Sequence, residues 1–269
     1  MKLYKGIIDT YPEYVVCWYQ NEPRNLNIFC EAVKQGSKIK IGDYCERYRG
    51  FFSDAEPQDY MIDVGGNIGL AAFPVASLGF KVVSFEPVTK NISLFQKGID
   101  INNFQNLVHL EQLALSERIE QKEIYIPKKR ADNASLNKTC STLNVRDIGF
   151  DSELIKSTTL DFWFFQNKQK YPIKDAKFLK IDTQGHEFSI LRGAKNFLLT
   201  AKEYGKLILE IEWDSHFLDS QKINGIKVLE LLDSIGYEVF HPEHLIKDKF
   251  KSFVSKKQQC DLLCRIKKQ

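Results

Sequence analysis

The segment from Tyr60 to Gly69 constrains the fold of this chain more than any other. An apolar run ends at Asp63, and a turn with glycines at positions 65, 66 and 69 follows it. Apolar residues with helical spacing come next, at Leu70, Ala71, Phe73, Val75, Ala76 and Leu78. A strand, a glycine-rich turn and a helix in this order open a nucleotide-binding α/β sheet. Glycines allow a ligand to approach the backbone, and the helix N-terminus offers it free N–H groups.

Further segments repeat the alternation of strand and helix. Apolar strands are predicted at residues 81–86, 107–110, 176–182, 206–213, 237–240 and 260–266. Helices are predicted at 70–78, 91–102, 188–198 and 226–235. This rhythm predicts an α/β fold with a doubly wound, parallel sheet and right-handed crossovers.

Two regions depart from the rhythm. Residues 1–56 form an extension rich in aromatic side chains, with Arg24, Arg47 and Arg49. It either packs on the main domain, residues 57–269, or covers an acceptor site, since aromatics with arginine suit a sugar. In the middle, an extra strand at 123–127 precedes a polar segment, 128–150, and strand-like sequence resumes at 157–161. Loops as long as 128–150 are usually functional or mobile.

The composition indicates a water-soluble globular protein, with 43% hydrophobic and 27% charged residues and a net charge of +3. This balance gives no support for a nucleic-acid partner, and the basic residues near the C-terminus are interpreted as a solvated face. Six cysteines without a CxxC pair favour free thiols and a cytoplasmic location. Neither a signal peptide nor a membrane span is evident.

Three acids, Asp63, Glu86 and Asp182, end predicted parallel strands and therefore converge on one crevice. Glu86 suits the ribose of either a dinucleotide or S-adenosylmethionine. Asp63 distinguishes between these two candidate cofactors, because a pyrophosphate bound at this position requires hydrogen-bond donors and a positive potential. A carboxylate there repels a pyrophosphate by a few kcal/mol but attracts an ammonium or sulfonium group. The residues therefore favour S-adenosylmethionine.

Four motifs occur in a characteristic order: Asp63-Val-Gly-Gly-Asn-Ile-Gly69, Phe85-Glu-Pro87, Ser157-Thr-Thr-Leu-Asp161 and Leu179-Lys-Ile-Asp-Thr-Gln-Gly-His-Glu187. The first resembles motif I of class I methyltransferases, and together they resemble the FkbM-type family. The resemblance implies a Rossmann-like, mostly parallel seven-stranded sheet and S-adenosylmethionine-dependent O-methylation, often of sugar hydroxyls. Two positions depart from the family pattern. Gly66 replaces a common Ala, a change expected to be harmless, and Thr183-Gln184 replaces an apolar residue and Glu.

The cofactor-binding residues follow from position in the motifs. Asp63 and Gly65 are expected to face the methionine end of the cofactor, while Asn67 and Gly69 shape the loop. Glu86 is expected to hold both ribose hydroxyls. Leu113 and Ala114 either border the adenine or belong to the core.

Asp182 and His186 are the candidate catalytic bases, because an alcohol attacks a methyl group only when its proton is removed. Glu187 and Glu212 are the next candidates for this role. Alternatively, Asp182 caps the next helix and His186 is a structural histidine. Lys180 lies on the same side of its strand as Asp182 and can tune it. Asp182 with Glu212 could also hold Mg²⁺, but no third ligand is evident and no metal is assigned.

The sequence thus predicts an O-methyltransferase acting on a hydroxyl of a sugar, glycan or glycan precursor. A methyltransferase for a protein or a small natural product is the alternative within enzymes. A non-catalytic module that binds S-adenosylmethionine and scaffolds partners is the alternative outside them. Neither the acceptor nor the oligomeric state can be deduced from the sequence.

Overall fold

The computed structural model describes residues 3–8, 13–19, 38–39, 43–128, 131–143, 149–241, 246, 250–256 and 258–267. The strands in this part of the chain are β1 Leu3–Ile8, β2 Tyr14–Tyr19, β3 Lys38–Ile39, β4 Tyr60–Val64, β5 Lys81–Phe85, β6 Val108–Glu111, β7 Ala114–Leu115, β8 Glu120–Pro127, β9 Phe150–Thr158, β10 Ala176–Ile181, β11 Ile208–Asp214, β12 Tyr237–Phe240 and β13 Gln259–Ile266.

The α-helices are α1 Asp43–Gly50, α2 Ala72–Ser77, α3 Thr89–Asn102, α4 Lys138–Leu143, α5 Leu160–Asn167, α6 Glu187–Gly193, α7 Lys195–Tyr204, α8 Ser215–Ser220, α9 Gly225–Ile235 and α10 Phe250–Ser255. Short 3₁₀ turns occur at Ala131–Asn133 and Ile173–Asp175. The predicted helix at 188–198 is divided at Ala194 into α6 and α7. The helix predicted to end near Gly236 is α9, whose C-cap is the left-handed Gly236.

A seven-stranded sheet in the order β12-β13-β11-β10-β4-β5-β6 forms the centre of the fold. The β11, β10, β4, β5 and β6 strands pair in parallel, whereas β13 is antiparallel to both β11 and β12. The predicted doubly wound, mostly parallel sheet is therefore confirmed, as a mixed sheet. Parallel pairing brings the carboxyl ends of β4, β5 and β10 to one edge, where their acids meet.

Hydrophobic side chains cover both faces of this sheet, as expected for parallel strands that are buried on each side. One face carries Met61, Val82 and Phe178 against α2, α3 and the β2 strand. The other face carries Ile62, Val83 and Leu179 against α5, α6, α7 and α9. Full burial of each such side chain contributes about 1.5–3 kcal/mol.

The described part of the N-terminal extension packs against the first of these faces. The side chain of Asn102 at the end of α3 accepts from Val15 N at 2.7 Å and donates to Val15 O at 2.8 Å. The ring of Tyr14 contacts Phe73 edge-on. These contacts agree with the packing role. Arg24 and Phe29, part of the predicted cover, lie outside the described residues.

The middle insertion forms a second small sheet, with strand order β7-β9-β8. The predicted extra strand at 123–127 is the end of β8. The strand predicted at 157–161 ends at Thr158, and the prediction is wrong for Leu160 and Asp161, which begin α5. The reason is local, because the Thr159 side chain accepts from Phe162 N and starts the helix. Of the polar segment 128–150, residues 129–130 and 144–148 lie outside the described part of the chain.

Candidate active site

A cavity of about 560 Å³ opens at the carboxyl edge of the central sheet. Five stretches line it: the glycine loop, the end of β5, the segment around β7, the middle insertion, and the end of β10 with its following turn. Glu212 from β11 and residues 259–261 from β13 complete the wall. We name the two sides after the ligands that the sequence analysis expects there: the side near the glycine loop and Glu86 is the cofactor end, and the side near Asp182 and Glu212 is the acceptor end.

The glycine loop is held by main-chain hydrogen bonds. Gly65 N and Gly66 N both donate to Phe85 O at 3.0 Å. Gly65 has φ +84°, and a Cβ placed on it would overlap the Asp182 carbonyl oxygen. Glycine is therefore required at this position, because the loop passes directly over the end of β10.

Gly66, a departure from the family pattern that was expected to be harmless, is determined by its surroundings. A Cβ at position 66 would overlap the Ser84 hydroxyl oxygen and lie 2.9 Å from Phe95 Cε1. Ser84 Oγ is held in place because it donates to Asp63 Oδ2 at 3.0 Å. Gly66 and Ser84 thus form a matched pair in this chain.

Asp63 is fully buried behind the loop and is absent from the described residues that line the cavity. Burial raises the pKa of its carboxyl, and the nearby Lys180 ammonium, 3.7 Å from Oδ1, opposes that rise. Lys180 also lies 3.2 Å from Asp182 Oδ2 and does line the cavity. Asp63 therefore acts on the site through Lys180 and the loop, and its direct contact with a cofactor stays a prediction.

Glu86 lines the cavity with a carboxylate that already accepts three hydrogen bonds. Its Oε1 accepts from Val88 N at 2.9 Å and from Asn91 Nδ2 at 3.2 Å, and its Oε2 accepts from Asn67 N at 2.8 Å. Burial raises the pKa of Glu86 to about 7 despite these bonds. Asn67 adopts a left-handed conformation with φ +49°, which asparagine tolerates better than most residues.

Leu113 and Ala114 both line the cavity next to Leu115. Ala114 packs in a small cluster with Val88, Ile124 and Ile155. These residues give the cofactor end an apolar wall opposite the polar loop.

The acceptor end contains a network of two acids joined by an amide. Gln184 Nε2 lies 3.2 Å from Asp182 Oδ1 and 3.1 Å from Glu212 Oε2, and donates toward both carboxyl groups. Gln259 Nε2 donates to Glu212 Oε1 at 3.0 Å. Gln184, a departure from the family pattern, therefore links the two acids in place of adding a third.

The two acids have opposite protonation tendencies. Burial disfavours the charge on Asp182, but Lys180 and the hydrogen bonds around the carboxylate hold its pKa below the usual value. Burial and the negative charges of Asp182 and Glu187 raise the pKa of Glu212 well above its usual value. The surroundings therefore favour the charge on Asp182 and disfavour a charge on Glu212 beside it.

Glu187, not Asp182, organises the turn before α6. Its Oε1 accepts from Thr183 N at 2.9 Å, Thr183 Oγ1 at 3.0 Å and Gly185 N at 3.1 Å. The alternative in which Asp182 caps α6 is not observed, since the N-cap position is His186. Asp182 is left to face the cavity.

His186 lines the cavity and lies with Nε2 3.0 Å from Ser116 Oγ. Burial is the main reason that the pKa of His186 falls to about 4, with Lys122 adding to the effect. The imidazole is therefore neutral at physiological pH, so either ring nitrogen can be the acceptor.

Several lining residues escaped the sequence analysis. Asn91 lies in the first turn of α3, and its position at the start of the helix that follows Glu86 is the only sequence feature that indicates a place in the site. The middle insertion contributes residues 131–134 and Leu136, for which only the length and polarity of the segment gave a signal. Cys260, at the start of the strand predicted over 260–266, is half-buried and lines the cavity together with Gln259 and Asp261, whereas Cys264 on the same strand is buried.

No cluster of three or more His, Cys, Asp or Glu side chains suited to a metal ion occurs among the described residues. In the same part of the chain, no helix has the length and apolar character needed to cross a membrane.

The sheet order and the cavity at its carboxyl edge define a class I methyltransferase fold. The family model for the methyltransferase FkbM domain matches residues 63–239. The chain therefore belongs to the FkbM methyltransferase family, whose cofactor is S-adenosylmethionine. A comparison with curated proteins gave no significant match.

Solved structures with similar folds have low sequence identity to this chain. The FkbM methyltransferase from Methylobacillus flagellatus KT is 18% identical, with a TM-score of 0.40 and coverage of 68% of this chain and 39% of that protein. The N-terminal domain of EvdMO1 with S-adenosylhomocysteine bound is 10% identical, with a TM-score of 0.44 and coverage of 92% and 95%. A TehB-like methyltransferase from Corynebacterium glutamicum is 10% identical, with a TM-score of 0.42 and coverage of 84% and 89%. The chain thus spans 39% of the length of the Methylobacillus protein.

The residues at the cofactor end fit S-adenosylmethionine. The glycine loop can lie directly against the end of β10 only because Gly65 lacks a Cβ. Asn67 Oδ1 and Asn91 Oδ1 are buried without a hydrogen-bond partner among the described residues, and both side chains belong to the cavity wall. Unpaired acceptors, a carboxylate and an apolar wall together match a ligand with amino, hydroxyl and purine groups.

Proposed function

We propose that this chain is an O-methyltransferase that acts on a hydroxyl of a sugar, glycan or glycan precursor. The observation that carries the proposal is the acceptor end, where Asp182, Gln184 and Glu212 converge beside the cofactor end. Carboxylate and amide groups in this density suit a ligand with several hydroxyls, because each hydroxyl both donates and accepts. When bound, S-adenosylmethionine supplies an electrophilic methyl group next to these side chains.

Asp182 is the proposed base. Its carboxylate is ionised because of Lys180 and is 25% exposed, so it can accept the proton of an acceptor hydroxyl. Glu212, joined to Asp182 through the Gln184 amide, holds the pair in one arrangement. The side chains thus orient the hydroxyl and receive its proton, which suits a reaction that depends mainly on alignment.

His186 is the second candidate for the base, or a group that orients the acceptor. Its neutral imidazole can accept a proton, although burial lowers the pKa of His186 to about 4; the pKa of Asp182 is lowered too, so basicity does not rank the two groups. Its contact with Ser116 fixes the ring at the wall of the cavity. We therefore expect His186→Gln to lower kcat less than Asp182→Asn does.

A cytoplasmic location is part of the proposal. Cys17, Cys140, Cys260 and Cys264 are free thiols, which suits a reducing compartment.

The test is acceptor-dependent formation of S-adenosylhomocysteine from S-adenosylmethionine, with mono- and oligosaccharides, phenols, amines and peptides as acceptors. We expect turnover with sugar hydroxyls, a loss of about 100-fold or more in kcat for Asp182→Asn, and no loss for the exposed control Asp100→Asn. Turnover with amines or peptides alone would contradict the proposal. Cofactor binding without turnover on any acceptor would favour the non-catalytic scaffold, and sensitivity to EDTA would restore the metal hypothesis.

A further inference from the structure

We propose that Asn91 binds the cofactor directly, with its side-chain oxygen accepting a hydrogen bond from one of the two ribose hydroxyls. The inference concerns the cofactor end and does not depend on the identity of the acceptor. It starts from the free hydrogen-bonding capacity of Glu86, the residue that was expected to hold both hydroxyls.

Groups of the protein already occupy most of the hydrogen-bond acceptor sites of the Glu86 carboxylate. A carboxylate has about four lone-pair sites. Val88 N and Asn91 Nδ2 occupy two sites on Oε1, and Asn67 N occupies one on Oε2. About one site remains, on Oε2, so Glu86 can accept one ribose hydroxyl and a second acceptor is needed for the other.

Asn91 provides that second acceptor. The residue is 2% exposed and lines the cavity in the first turn of α3. Its Nδ2 donates to Glu86 Oε1 at 3.2 Å and points toward Ala131 O at 3.4 Å. These bonds fix the orientation of the amide and leave Oδ1 buried, with no partner among the described residues.

A buried acceptor without a partner is unfavourable, so its presence requires an explanation. Asn91 Oδ1 belongs to the same planar amide that bonds Glu86 Oε1, and both side chains line the cavity. Two hydrogen-bonded residues that each offer an acceptor match the two adjacent hydroxyls of the ribose. The Nδ2 bonds therefore orient both members of the pair.

A thermodynamic cycle tests this assignment by calorimetry. The ligands are S-adenosylhomocysteine and its 2′-deoxy and 3′-deoxy analogues, and the proteins are the wild type, Asn91→Leu and Glu86→Gln. We expect each missing hydroxyl to weaken binding to the wild type about 10-fold. In Asn91→Leu, the penalty for one of the two hydroxyls should fall to about 2-fold while the other penalty stays, which measures a direct coupling.

Asn102→Leu is the matched control, because Asn102 lies on the same helix but bonds Val15 away from the cavity. It should keep both hydroxyl penalties. If Asn91→Leu does not fold, Asn91→Ser provides the same comparison with a smaller change. Equal penalties for both hydroxyls in the Asn91 variant and the wild type would overturn the proposal, and would leave Asn91 with the purely structural role of holding Glu86.

Discussion

The two ends of the cavity are built in different ways. At the cofactor end, main-chain N–H groups of Gly65, Gly66 and Asn67 determine the shape of the loop. At the acceptor end, charged and amide side chains from β10, the following turn and β11 determine the arrangement of the site. One end therefore depends on backbone conformation, and the other depends on the balance of charges.

This difference predicts how each end responds to substitution. A loop fixed by its backbone has no tolerance for an added Cβ where the chain passes close to another strand. A network of charges tolerates changes of shape better, but it fails when a buried ion loses its partner. Substitutions at each end should consequently produce different combinations of lost stability, lost cofactor binding and lost turnover.

The largest effect is expected for Gly65→Ala. The new Cβ would overlap Asp182 O, and residue 65 has φ +84°. We expect the free energy of unfolding to fall by about 4 kcal/mol or more, with binding of S-adenosylhomocysteine weakened at least ~100-fold. Urea unfolding and calorimetry measure the two quantities.

Gly79→Ala is the matched control for backbone strain. Gly79 has φ +92°, but a Cβ added to it would meet no atom within 4 Å beyond its chain neighbours, so Ala adds strain there without overlap. It should cost about 1–2 kcal/mol and leave cofactor affinity unchanged. Equal losses of stability at positions 65 and 79 would show that the close approach to Asp182 is unimportant.

The next effect concerns the charge balance, through Lys180→Met. Lys180 lies between Asp63 and Asp182, so its loss leaves two acids without their shared cation. We expect a loss of about 3–5 kcal/mol of stability, because an uncompensated buried charge remains. The pKa of Asp182 should rise, so turnover at neutral pH should fall and recover partly as the pH is raised.

Lys177→Met is the control on the same strand. Lys177 pairs with Asp54, which is 81% exposed, at 2.8 Å. Loss of an ion pair with an exposed partner costs about 1 kcal/mol or less, and the pH dependence of turnover should not change. A larger change in cofactor affinity than in turnover for Lys180→Met would contradict the assignment of Lys180 to the acceptor end.

The strand, turn and helix of the cofactor end could be predicted from the sequence because the residues that determine them are contiguous. The run from Asp63 to Gly69 specifies a strand, a turn and a helix within a few residues, and the acid at position 86 ends the next strand. These positions follow from periodicity and from glycine chemistry. The orientation of Asp63 could not be predicted, since its burial behind the loop depends on Ser84 and Lys180.

The acceptor end was predicted less completely because its members are distant in sequence. Asp182 was predicted from its position at the end of a strand, and Lys180 from the alternation of side chains along that strand. Gln184 was noted only as a departure from a pattern, and its bonds to two acids depend on the pairing of β10 with β11. Gln259 and Asp261 reach the cavity through an antiparallel strand that the β–α rhythm does not position.

A smaller effect on turnover is expected for Arg47→Met, which also leaves the buried Glu210 without its cation and so lowers stability. Arg47 Nη2 donates to Glu210 Oε1 and to the cavity residue Asp261 Oδ2, both at 2.9 Å. Release of Asp261 should raise the KM for the acceptor about 10-fold and leave the Kd of S-adenosylhomocysteine unchanged. Steady-state kinetics with the fastest acceptor provides the measurement.

Arg49→Met is the control, because Arg49 lies in the same helix, α1, and bonds Pro74 O and Ser77 Oγ. It should lower stability slightly without changing the KM for the acceptor. A matching rise in KM for both variants would mean that α1 affects the site only through packing.

The smallest effect is a pH dependence that separates the two ends without mutation. The pKa of Glu86 is raised to about 7, whereas the pKa of Asp182 is lowered. On the proposed assignment, one ribose hydroxyl donates to the ionised carboxylate of Glu86, so the Kd of S-adenosylhomocysteine should rise as the pH falls from 8 to 6, by at most ~10-fold per unit. Glu86→Gln should abolish this dependence, and Glu230→Gln, at an exposed position, should retain it.

The stability of the protein without cofactor should change in the opposite direction with pH. A carboxyl whose pKa is raised on folding contributes stability below its unfolded pKa, and this contribution is lost as the pH rises through about 7. The cofactor-free protein should therefore be more stable at pH 6 than at pH 8, and Glu86→Gln should reduce that difference in thermal unfolding. Parallel changes in stability and affinity would contradict the assignment of both effects to Glu86, since ionisation of this one carboxyl weakens the empty fold while it strengthens cofactor binding.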